Sequence, residues 1–83
     1  MGEQFSFTVG GKRFSITREE IERKLKGVQP EEIREYYVTV NGKNYPVKQA
    51  VEEAAGLLRS GFTTQDAIRI LRKFDLPLRK SVG

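Results

Sequence analysis

Two glycine-centred turns with matching alternating flanks, each followed by a helical pattern, predict an α+β fold. It consists of two ββα units and a C-terminal helix. The units form an internal repeat: Thr8-Val9-Gly10-Gly11-Lys12 aligns with Thr39-Val40-Asn41-Gly42-Lys43 at an offset of 31 residues, and Phe14 and Ile16 match Tyr45 and Val47. The simplest assembly is a four-stranded, mainly antiparallel sheet covered by helices on one face. Two separately packed hairpins are the alternative. All 83 residues form one domain, with halves at 5–27 and 36–76 and a frayed tail at 77–83.

In the first hairpin, Phe5, Phe7 and Val9 alternate onto one face, and Phe14 and Ile16 join them across the turn. Ser6, Thr8, Arg13 and Ser15 take the other face, so one side of the sheet is apolar and the other polar. In the second hairpin, Tyr36, Val38, Val40, Tyr45 and Val47 make the core face, and Tyr37 lies on the open one. Asn41-Gly42 is a strong hairpin signal, because a type I′ turn needs positive φ at both central residues. Pro46 lacks a ladder donor and places its strand at a sheet edge or at its own end.

Thr17 and Glu20 have capping-box spacing, and Ile16 and Ile21 suit a hydrophobic staple across that cap. The helix they start buries Ile21 and Leu25 and stops at Gly27. Pro30 with Glu31 and Glu32 predicts a short helical turn. Lys48 to Leu58 reads as helix with Val51, Ala54, Ala55 and Leu58 as its stripe, and Gly56 as a weak point whose size suits close packing. Ser60-Gly61 breaks the chain. Thr63 and Asp66 then cap a helix whose apolar stripe is Ala67, Ile70, Leu71 and Phe74, widened by Ile68. Pro77 ends it.

The composition narrows the function. The chain has no cysteine and no histidine, which removes disulfides, thiolate metal sites and the commonest general base. The acidic residues fall in runs with Arg and Lys, as on solvated helix faces. No phosphate-loop motif occurs, and the paired glycines fit hairpin turns better. The expectation is a non-enzymatic protein without metal or small-molecule cofactor. No signal peptide or membrane span is visible, so a cytoplasmic setting is expected. Charged residues are plentiful and cysteine is absent, a composition of the thermophile kind.

The net charge of +4 is unevenly placed. Basic and acidic residues balance over 1–58, whereas 59–83 holds six basic residues against Asp66 and Asp75. The nucleic-acid-binding candidates are Arg59, Thr63, Gln65, Arg69, Arg72, Lys73, Arg79 and Lys80. The helix pair around Arg59-Ser60-Gly61-Phe62 has the outline of a helix-turn-helix, although the connection is long for one. The expected partner is DNA or RNA, held through phosphates. The competing readings are an ordinary solvated helix face, or a protein partner or homodimer formed at an exposed strand edge.

Two blocks carry a resemblance: Tyr37-Val38-Thr39-Val40-Asn41-Gly42-Lys43-Asn44-Tyr45-Pro46-Val47-Lys48-Gln49 and Phe62-Thr63-Thr64-Gln65-Asp66-Ala67-Ile68-Arg69-Ile70-Leu71. Together they resemble a short module of small prokaryotic proteins of unassigned function. The resemblance implies a loose association with larger DNA-processing proteins that carry such a module as an appendage.

Overall fold

The computed structural model describes residues 4–81. Strands β1 (Gln4–Val9) and β2 (Lys12–Thr17) form the first hairpin, and β2 runs directly into helix α1 (Arg18–Leu25). Strands β3 (Tyr36–Val40) and β4 (Lys43–Pro46) form the second, and β4 runs directly into α2 (Val47–Ala55). A 3-10 turn (Arg59–Gly61), α3 (Thr64–Arg72) and a short strand β5 (Leu78–Lys80) complete the chain.

The hairpins do not share a sheet. β1 and β2 pair in register Phe7↔Phe14 as a two-stranded antiparallel sheet. β3 lies between β4 and β5 in a second antiparallel sheet, with Val38 opposite both Tyr45 and Leu78. This corrects the single four-stranded sheet. The place beside β3 goes to β5, so residues 78–80 are paired strand and not frayed tail, while Val82 and Gly83 lie outside the described residues.

Helix α2 sits between the two hairpins and packs on both α1 and α3. Its Ala50, Val51 and Ala54 meet Ile21 and Leu25 of α1, Val38 and Tyr45 of the second sheet, and Ile70 and Leu71 of α3 in one core. Each large aliphatic side chain buried there contributes about 1.5–3 kcal/mol. Phe74, just after α3, closes the other end, its ring edge-on to Phe5 at 5.0 Å and tilted to Phe7 at 5.9 Å.

The capping boxes at Thr17–Glu20 and Thr63–Asp66 form as their spacing predicts. Four local expectations fail. Helix α2 ends at Ala55, because Gly56 adopts the left-handed conformation (φ 70°) and caps the helix through its N–H to the Glu52 carbonyl. No close neighbour surrounds Gly56, so conformation and not tight packing explains it. Leu58, placed on the helical stripe, is consequently 79% exposed. Pro30-Glu31-Glu32 is not helical. The buried Gln49 side chain donates to the Gln29 carbonyl and accepts from the Glu31 N–H, both at 2.9 Å, and so holds that backbone open.

Candidate nucleic-acid interface

α3 is built to present cations outward. Its buried residues are Ala67, Ile68, Ile70 and Leu71, which leaves Gln65, Arg69 and Arg72 on the solvent side. Lys73 follows at its C-terminus, with its ammonium 6.0 Å from the Phe7 ring centre. β5 adds Arg79 and Lys80, which stand opposite Tyr37 and Tyr36 of β3. The Lys80 ammonium lies 5.9 Å from the Tyr36 ring centre.

Two shallow concavities connect these elements. One, of about 270 Å³, is lined by Gln65, Ile68, Arg69, Arg72 and Lys73. The other, of about 110 Å³, is lined by Tyr36, Ile68, Arg72, Leu78, Arg79 and Lys80. Ile68 and Arg72 belong to both, so the α3 cations and the β5 cations border one surface. Among the described residues, Arg72, Lys73, Arg79 and Lys80 have no carboxylate within ion-pair distance. Arg69 contacts Asp66 at 3.1 Å one turn earlier and remains 62% exposed. The Thr63 N–H bonded to Asp66 holds that carboxyl below its usual range, with Arg69 adding to the effect.

Arg59 does not belong to this surface. Its guanidinium forms a fork to Glu31 at 2.6 and 3.0 Å and reaches Glu52 at 2.6 Å. The hydrogen bonds from Arg59 hold the Glu31 carboxyl below its usual range, and those to Glu31 and Glu52 raise the Arg59 pKa. Two carboxylates on one guanidinium leave no net positive charge for a phosphate. Thr63 is also set aside: its hydroxyl accepts the Asp66 N–H as the α3 cap.

Helix-turn-helix geometry is absent as well. Eight residues, including the 3-10 turn, separate Ala55 from Thr64, where that motif needs a compact turn. Tyr36, assigned to the core, is half-buried: its ring packs on the core and also lines the 110 Å³ concavity. Tyr36 also lines a third concavity of about 500 Å³, together with Glu31, Glu32, Arg34, Glu35, Lys48 and Arg59. Tyr36, Ile68 and Leu78 are the lining residues that sequence reasoning missed. Alternation sends Tyr36 inward, and nothing local marks the end of β3 as the place where β5 and α3 meet.

Together the fold and this surface define a small α+β domain in which α3 and β5 bring five cations to one side. The chain belongs to the SCO5918-like family, whose family model matches residues 9–82. No curated protein and no solved structure matches the chain. Among the described residues, no helix is long and apolar enough to cross a membrane.

Proposed function

We propose that this domain is a non-enzymatic nucleic-acid-binding module that serves as an accessory to larger nucleic-acid-processing machinery. The observation that carries the reading is the bridging of α3 and β5 by Ile68 and Arg72, which brings Arg69, Arg72, Lys73, Arg79 and Lys80 to one surface. Such cations can neutralise phosphates, and releasing the phosphates' counterions would supply the affinity. Read as two copies of one ββα repeat, β1–α1 and β3–α2 form the scaffold, and α3 with β5 is the added binding piece.

The test is fluorescence anisotropy with labelled oligonucleotides at several salt concentrations. Binding weakens with salt, with a log–log slope equivalent to about three to five released ions. Replacing Arg69 and Arg72 together by Glu abolishes it while the circular dichroism spectrum stays unchanged. Absence of binding at low salt, or undiminished binding by the double variant, rejects the reading.

A second reading rests on the sheet edges. Among the described residues, β1 and β2 pair only with each other, and the outer edge of β5 has no strand partner. Such edges accept a partner strand or a second copy of the chain. Light scattering that shows a strict monomer at high concentration removes the self-associating version.

A further inference from the structure

We propose that the ligand of this surface is single-stranded nucleic acid, and that Tyr36 is the ring on which one of its bases stacks. The inference rests on the nucleic-acid reading above and names the substrate class of that surface. The 110 Å³ concavity is not simply basic. Tyr36, Ile68 and Leu78 are its apolar part, and Arg72, Arg79 and Lys80 surround them.

A duplex turns its phosphates outward and shows only base edges, deep in its grooves. Laid across α3 and β5, it would satisfy the cations but set phosphates and water against an apolar floor. A single strand carries both phosphates and open base faces. Its aromatic faces match the apolar floor while its backbone meets the cationic rim, which is the combination used in sequence-tolerant single-strand binding.

The placement of Tyr36 favours this role over simple core filling. It begins the central strand of the three-stranded sheet, and its backbone is fixed there opposite Lys80. Tyr36 is half-buried and lines both the 110 Å³ concavity with its cations and the 500 Å³ one, which Glu31, Glu32 and Glu35 also line, so a base reaches it from the cationic concavity. The Lys80 ammonium lies over the ring, 5.9 Å from its centre, so a stacking base displaces it towards a neighbouring phosphate, and Arg72 lines the same concavity. Gln65 is the uncharged hydrogen-bonding side chain lining the α3 groove, too little for reading base edges in a duplex.

The experiment compares four probes of equal length by anisotropy at one salt concentration: oligo-dT, oligo-U, an abasic deoxyribose-phosphate strand and a DNA duplex. The wild-type chain binds oligo-dT or oligo-U about tenfold or more tighter than the abasic strand and the duplex. The tighter of the first two tells whether DNA or RNA is preferred. Tyr36→Leu weakens single-strand binding about tenfold and leaves abasic binding unchanged, whereas Tyr36→Phe, which keeps the ring, stays within about twofold of wild type. Should Tyr36→Leu fail to fold, the wild-type ranking of base-bearing, abasic and duplex probes decides the matter.

Equal affinity for the abasic strand, or tighter binding of the duplex, overturns the proposal. If duplex binding is tighter and is lost in the Arg69 and Arg72 double variant, the nucleic-acid reading survives and the single-strand assignment alone falls. If no probe binds, both fall.

Discussion

The Tyr45 hydroxyl donates to the Leu25 carbonyl at 3.1 Å and shares its proton with the Val28 carbonyl at 2.9 Å. Tyr45 is fully buried on β4, and Leu25 is the last residue of α1, so one phenol fastens the second sheet to the end of the first helix. The carbonyls at a helix C-terminus lack partners within the helix, and this side chain supplies one. Tyr45→Phe keeps the ring and removes both bonds of the hydroxyl, while the Leu25 carbonyl retains the Val28 N–H at 3.0 Å. The expected loss is about 1–2 kcal/mol, read as a lower urea midpoint with an unchanged m value. An unchanged midpoint would show that the hydroxyl does not hold the two elements together.

The Arg59 fork predicts a pH dependence. Because Arg59 holds the Glu31 carboxyl below its usual range, the folded state takes up that proton at lower pH than the unfolded chain does. The pair therefore contributes its full stabilisation above the ordinary glutamate pKa and loses it as pH falls through the folded value. Both side chains are well exposed, which limits the contribution to under about 1 kcal/mol. Glu31→Gln is accordingly less stable than wild type at pH 7, and the difference shrinks in urea titrations as pH falls below the ordinary glutamate range. A difference that does not shrink on acidification would place the effect elsewhere.

The α3 cap gives a stability prediction close to the proposed surface. Thr63→Ala removes the oxygen that accepts the Asp66 N–H, at a cost of about 1 kcal/mol. Thr63→Ser restores most of it. Thermal unfolding followed by circular dichroism separates the two variants. Equal melting temperatures for alanine and wild type would mean that tertiary packing alone sets the start of α3.

The charge assignments separate in a salt titration. Arg72→Ala and Lys73→Ala each lower the salt slope of oligonucleotide binding by about one. Arg59→Ala leaves slope and affinity unchanged, because its charge is already matched by Glu31 and Glu52. A fall in slope on Arg59→Ala would return that residue to the interface.

The parts of the fold legible in the sequence are those fixed by short-range chemistry. Asn41 at φ 54° and Gly42 at φ 76° adopt the positive angles that a tight hairpin turn demands. Both Thr-led caps depend on a spacing of three residues. β5 has no such mark: Leu78-Arg79-Lys80 is short and mostly charged, and it becomes a strand because β3 offers it a free edge. The 29–31 segment is likewise shaped from a distance, by the Gln49 amide. The proposed surface divides in the same way. The outward side of α3 follows from helical periodicity, so Gln65, Arg69, Arg72 and Lys73 were readable. Removing Arg59 required Glu31, which is remote in sequence, and adding Tyr36 required β5.

The two flanks of β3 differ in how far along the chain their partners lie. β4 is reached across the two-residue turn at Asn41-Gly42, whereas β5 is joined only after α2, the 3-10 turn and α3. Local pairing is the faster event, and long-range pairing carries the larger loop-closure entropy. During folding the β3–β4 hairpin therefore precedes the β5 seam, whose three residue pairs can part while that hairpin stays closed. Its parting separates Arg79 and Lys80 from Tyr36 and Arg72, dismantling the cationic rim while most of the core remains intact. A phosphate chain lying across that rim would act as a clasp, slowing amide exchange along β5 more than anywhere else in the domain.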